Sequence, residues 1–104
     1  MKAEELKGHL DGLILSVVSQ EPLHGYAVIE ALKARSGGNL TLPEGTVYPA
    51  LHRLEADGLL KSEWSTASGR RRRIYSITRR GGKELGVSRE RWRNFSTTIE
   101  SVLA

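Results

Sequence analysis

Apolar positions along this chain change spacing several times, and each change marks an element. Leu6, Leu10, Leu13, Ile14, Val17 and Val18 recur at helical intervals, so roughly residues 3–19 read as an amphipathic helix that QEPL stops. In HGYAVIEALKARSGG, the stripe Tyr26, Ile29 and Leu32, with Val28 beside it, predicts a second helix ended by Gly37-Gly38. A short NLTL follows as an extended piece. LPEGTVYPALHRLEADGLL predicts a third helix: Pro43 suits its first turn, Glu44 complements the positive end of its dipole, and Val47, Leu51 and Leu54 face inward. Asp57-Gly58 is its stop. Pro49 falls early in this helix, where the loss of an amide donor costs little.

Beyond Gly58 the pattern shortens. LLKSEWS and RRIYSIT are two β-prone runs around TASGR, whose residues are turn formers, and together they predict a hairpin. Trp64, on the first strand, is expected to pack under the hairpin against the third helix. Thr78 can cap a last helix that runs nearly to the end. Along it, Leu85/Trp92/Ile99 and Ser88/Phe95/Val102 are two heptad-spaced series. Such a seam requires a partner helix, and a second copy of the chain is the economical one. Gly81, Gly82 and Gly86 weaken the helix, so its first turns are expected to be mobile.

The 104 residues suffice for one small domain, and 38% hydrophobic with 27% charged residues is an ordinary composition for a folded soluble chain. Cysteine is absent, which excludes disulfides, thiolate metal sites and cysteine nucleophiles. The opening MKAEELKGHLDG lacks the positive region of a signal peptide, and LILSVV is too short to span a bilayer, so a cytoplasmic chain with no membrane association is expected. His9, His24 and His52 share no ligand spacing, and no serine elbow or phosphate-cradling loop is present. The chain is therefore expected to be no enzyme, with no catalytic residue, no metal and no cofactor.

Charge is divided unevenly. Residues 1–68 carry 6 basic and 9 acidic side chains, a net of −3, and residues 69–104 carry 10 basic and 3 acidic, a net of +7. That asymmetry points toward a polyanion approached from one side, although a basic face can also serve solubility alone. The densest cation cluster, Arg70 to Arg73, falls on the hairpin tip and its returning strand.

Three helices, a hairpin and a final helix is the order of a winged helix-turn-helix, a mainly α (α+β) fold with a two-stranded β-hairpin wing. In it the third helix enters the major groove while the wing meets phosphates or a neighbouring minor groove. PLHGY at 22–26, PEGTVYPALHRLEADGLL at 43–60 and SGRRRRIYSITRRG at 68–81 resemble the PadR family of bacterial transcriptional regulators, over about residues 10–85. The short C-terminal region is similar to the family's compact branch, in which one final helix makes the dimer. The resemblance implies a winged helix-turn-helix over residues 1–78 and a dimerisation helix over 79–104. It also implies a homodimeric repressor on a palindromic operator in double-stranded DNA, released by a small molecule or another signal.

Two departures stand out. Arginine fills the place of the proline usual in the family's basic turn, and the last helix opens Thr78-Arg79-Arg80 where acids are common. Arg79 or Arg80 is expected to hold the DNA backbone, which would offset their unfavourable position at a helix N-terminus.

On the third helix, Thr46, Tyr48, His52 and Arg53 point away from the apolar stripe. They are expected to contact DNA, the hydroxyls at phosphate and Arg53 at guanine; the bland reading is a solvated face with Tyr48 half-packed. Arg70, Arg71, Arg72 and Arg73 alternate across the strand, so two are expected to face DNA. His24 and Tyr26 read as mainly structural, His24 capping the second helix and Tyr26 packing on the core. Trp92, Phe95, Ile99 and Val102 are expected at the dimer interface. There Trp92 and Phe95 form plain core or wall a pocket for a planar aromatic effector. A protein-interaction module and a non-specific architectural DNA-binding protein are the competing readings.

Overall fold

The computed structural model describes Met1 and residues 3–104. A 3-10 turn at Ala3–Leu6 precedes α1 (Leu10–Gln20), followed by β1 (Leu23–His24), α2 (Gly25–Arg35) and α3 (Glu44–Ala56). Then come β2 (Leu60–Ser65), β3 (Arg72–Ile77) and the long α4 (Arg79–Leu103). This is the winged helix-turn-helix, mainly α with a β wing. The expected first helix is interrupted where Gly8 takes φ +84°, a left-handed conformation that ends regular helix, so α1 begins only at Leu10.

The core is built by the helices against the sheet. Ile14 and Leu15 of α1, Val28 of α2, and Val47, Leu51 and Leu54 of α3 are fully buried, as are Leu60 of β2 and Tyr75 of β3 within 2%. Each large aliphatic side chain so removed from water contributes about 1.5–3 kcal/mol before chain entropy is set against it. All three inward positions of α3 fall as their spacing requires.

The sheet has three strands in the order β1-β3-β2, all antiparallel. The two-residue β1 pairs Leu23 with Tyr75 and His24 with Ile74, and so ties the approach to α2 onto the wing. In the hairpin, Trp64 opposes Arg73 and Ser65 opposes Arg72. Gly69 closes the turn with φ +81°, its amide donating to the Thr66 carbonyl at 2.9 Å.

Thr78 joins wing to α4. Its hydroxyl oxygen accepts from the Gly81 amide at 3.0 Å and donates to the Gly58 carbonyl at 2.7 Å. Gly81 is buried, and a Cβ there would collide with the Leu59 carbonyl. Its role is close approach of helix to turn, and the first turn of α4 is fastened to the body. Farther on, α4 leaves it: of 25 residues only Gly81 and Leu85 are buried. At about 1.5 Å per residue the helix is about 37 Å long, and it accounts for the 53 × 28 × 20 Å shape.

Candidate nucleic-acid interface

The outward face of α3 is centred on Gly45, Pro49 and His52, all exposed and spaced i, i+4, i+7. Gly45 and Pro49 were absent from the expected contacts, although the same spacing that marks the inward stripe also picks them out. Both have a low profile, so the backbone of α3 can come close to a flat or grooved partner. Pro49 removes one helical hydrogen bond, in the second turn.

Thr46 and Arg53 flank this line on one side. Both border a groove shared with Asp11 of α1 and Leu42. Arg53 forks onto Asp11: Nη1 donates to Oδ2 and Nη2 to Oδ1, each at 2.7 Å. This hydrogen bond raises the Arg53 pKa above its ordinary value. Arg53 is thus tethered to α1, with its side chain about half exposed.

Tyr48 flanks the other side. Its ring is pressed onto Gly25, where a Cβ would overlap it. Tyr26 lies near it but is 54% exposed and is not part of the core stripe, which belongs to Val28, Ile29 and Leu32. The Glu30 carboxylate beside its phenol raises its pKa, and the neighbouring Glu44 and Tyr48 add to the rise. As the second residue of α2, Tyr26 stands beside the start of α3, a placement that spacing alone does not reveal. His24 occupies the N-cap position of α2, but its side chain makes no capping bond.

The four arginines divide as strand alternation requires. Arg73 is drawn inward: its Nε donates to Ser62 Oγ at 2.7 Å, Ser62 Oγ donates to Glu55 Oε2 at 2.6 Å, and Arg73 lies 3.7 Å from the same carboxylate. That chain latches the wing to the end of α3. Arg71 lies over Trp64 with its guanidinium carbon 4.3 Å from the ring centroid. Trp64 itself is 53% exposed, contrary to the expectation that it packs against α3, and its ring is flanked by Arg71 and Arg73. Arg70 and Arg72 lie on the His24 side. Burial lowers the His24 pKa, and repulsion from Arg72 and Arg70 lowers it further. Arg79, the first residue of α4, and Arg80 are both exposed, and the Arg80 guanidinium lies over Gly58.

The distal seam of α4 is uncovered. Trp92, Phe95, Ile99 and Val102 are all exposed, Val102 at 78%. His9 contacts the first two, its ring centroid 5.5 Å from that of Trp92 in an edge-on arrangement and 6.0 Å from that of Phe95. The three rings border a groove of about 530 Å³ with Leu13, Leu85 and Ser88. The described residues contain no helix long and apolar enough to cross a membrane.

Known proteins resemble this chain in sequence and fold. The profile of the "Transcriptional regulator PadR-like family" matches residues 14–87. "Transcriptional regulator Rv3488" of Mycobacterium tuberculosis is 42% identical over 76 residues, 73% of this chain and 68% of that protein. "Transcriptional regulator YqjI" of Escherichia coli is 31% identical over 83 residues, which cover 80% of this chain but 39% of YqjI. Among solved structures, a transcriptional regulator from Clostridium thermocellum superposes with a TM-score of 0.90 at 26% identity, over 98% of this chain and all of that one. A PadR family transcription regulator from Clostridium difficile R20291 gives 0.80 at 33% identity, over 93% of this chain and 100% of its own. With the basic wing beside an exposed third helix, these matches establish that the chain belongs to the PadR-like family of transcriptional regulators, DNA-binding proteins rather than enzymes.

Proposed function

We propose that this protein is a homodimeric, sequence-specific repressor that acts in the cytoplasm on a palindromic operator. The carrying observation is the juxtaposition of a low-profile α3 face with a wing of four consecutive arginines. Residues 1–78 form the DNA-binding unit, and 79–104 form the dimerisation helix after its first, body-fastened turn. In a dimer joined through Ile99, Val102, Trp92 and Phe95, two α3 helices meet half-sites about 34 Å apart. Thr46, Tyr48 and His52 are the contacts of α3, with Arg53 available once it leaves Asp11. Arg70, Arg71, Arg72 and Arg79 meet phosphate or groove, and Arg73 divides its charge between DNA and the Glu55 latch.

The groove at His9, Trp92 and Phe95 is suited to a planar aromatic effector, since flat rings stack on such walls. An effector there changes the angle between the two last helices and so the spacing of the reading heads.

A mobility-shift assay on the DNA upstream of the protein's own gene tests the reading, with excess competitor DNA at two salt concentrations. A specific regulator gives a shift that survives competitor and weakens in Arg70→Ala/Arg71→Ala. Its salt slope falls by about 0.9 for each phosphate that the variant no longer neutralises. A shift that competitor abolishes identifies architectural binding, and no shift at low salt moves the search to protein partners.

A further inference from the structure

Gly12 lies inside α1 with an ordinary right-handed backbone, where glycine brings no conformational advantage and weakens the helix. Space accounts for it instead. A Cβ at position 12 would stand 2.8 Å from Cβ and 3.0 Å from Oγ of Ser88 on α4. No rotamer change moves a Cβ, so α4 lies this close to α1 only because residue 12 has no side chain. Heptad spacing groups Ser88 with Phe95 and Val102, yet those two are exposed while Ser88 is half-buried against α1. The contact falls where α4 departs from the body, one turn beyond the buried Leu85. Grooves flank it on both sides: His9 and Trp92 border one, Asp11 and Arg91 the other, and Ser88 borders both. Farther along, the body reaches α4 through His9, a side chain free to turn with Trp92 and Phe95.

We propose that Gly12 and Ser88 are positioning residues that fix the lean of α4 and, through it, the separation of half-sites that the dimer accepts. This rests on the homodimer reading above and names the contact that sets its geometry. From the fastened Gly81, Ser88 is about 10 Å along the helix axis and Ile99 about 27 Å. A methyl group at position 12 needs about 1 Å more room at Ser88 to reach ordinary carbon–carbon contact. Pivoted at Gly81, that shift grows to about 2.5 Å at Ile99. Both protomers contribute, so the reading heads move relative to each other by about 5 Å, more than the ~3.4 Å rise of one base pair.

The chain has no cysteine, so Ala67→Cys places one spin label per protomer on the exposed turn of the wing. Pulsed dipolar spectroscopy on the full chain then reads the wing-to-wing distance. Selection from a random duplex pool reads the spacer between inverted half-sites. In Gly12→Ala the distance is expected to shift by about 5 Å and the preferred spacer by about one base pair, with the half-site sequence unchanged. Gly12→Ala/Ser88→Ala keeps the obstructing Cβ and is expected to retain both shifts, whereas Gly12→Ala/Ser88→Gly should return both to wild type. A merely destabilising change would not produce that split. If Gly12→Ala fails to fold, Ser88→Val crowds the same contact from α4 and is expected to move both readings. A folded, crowded dimer whose distance or spacer is unmoved overturns the proposal while the homodimer stands. If sedimentation shows wild type to be a monomer, the homodimer reading and this inference fall together.

Discussion

Arg53 of the third helix and Asp11 of the first are 42 residues apart in the chain, yet their side chains interlock through two hydrogen bonds of 2.7 Å. The fork fastens the helix proposed to read DNA to the helix that carries His9 at its start. His9 in turn touches Trp92 and Phe95 on the α4 seam. A continuous set of contacts therefore runs from the seam through α1 to the reading helix.

Because both partners are about half exposed, the fork should add little to stability. Asp11→Ala is expected to cost no more than about 1 kcal/mol in thermal or denaturant unfolding. Its effect on DNA should be larger and opposite in sense: freed from Asp11, Arg53 gains access to phosphate. Affinity then rises, and the salt slope steepens by about 0.9. Titrations across a salt series on wild type, Asp11→Ala and Asp11→Ala/Arg53→Ala check this, since the increase must vanish in the double variant.

His24 supplies a pH dependence. Its folded pKa lies below the ordinary value of about 6.5, through burial first and then Arg72 and Arg70. Folding favours the neutral ring, so this contribution is fully present above about pH 6.5 and is lost as pH falls through the depressed folded value. Stability should decline on the acid side, and His24→Gln should flatten that limb. DNA phosphates beside Arg70 and Arg72 would cancel their repulsion and raise the His24 pKa. Binding should then take up a proton and tighten as pH falls from 7, an effect absent in His24→Gln and measurable by calorimetry in buffers of different ionisation enthalpy.

Ile99 tests the seam. Replacing it with Glu places a charge in the middle of the exposed apolar row of α4. Sedimentation is expected to show a dimer for wild type and a monomer for Ile99→Glu. The unfolding of the winged body should be unchanged, because Ile99 lies outside the core cluster. Operator affinity should drop by roughly a hundredfold, as two linked half-site contacts become independent.

Gly25 and Tyr48 form a tight pair. A methyl group at 25 meets the Tyr48 ring, so Gly25→Ala is expected to destabilise the fold by about 1–3 kcal/mol through overpacking. Truncating the ring in Gly25→Ala/Tyr48→Ala should recover part of that stability, as a double-mutant cycle would show. Tyr48→Phe removes only the hydroxyl. It should leave stability nearly unchanged and lower DNA affinity by the few-fold that one phosphate hydrogen bond supports.

Local periodicity made the helices and hairpin legible. Val47, Leu51 and Leu54 are buried where a period of 3.6 puts them, and Thr78 caps α4 as its type and position suggest. Misses came where one residue overrode the pattern or where a contact is remote. Gly8 broke the first helix through its backbone conformation. Strand β1 is two residues long, too short for any alternation to mark it. Trp64 was expected under the wing against α3, but it is half exposed, with Arg71 and Arg73 from the far side of the hairpin flanking its ring.

What the sequence determined by itself is the order of elements, the inward stripe of each helix, the basic wing and the unpaired heptads of α4. Each follows from spacing and charge along a few neighbouring residues. The tertiary structure alone decided which arginines are free. Arg53 and Arg73 are each held by an acid distant in sequence, and Arg71 lies over an indole. The reason is that a guanidinium at the end of a long side chain takes its environment from whatever the fold brings within a few ångströms, and in every one of these cases that neighbour lies on another element.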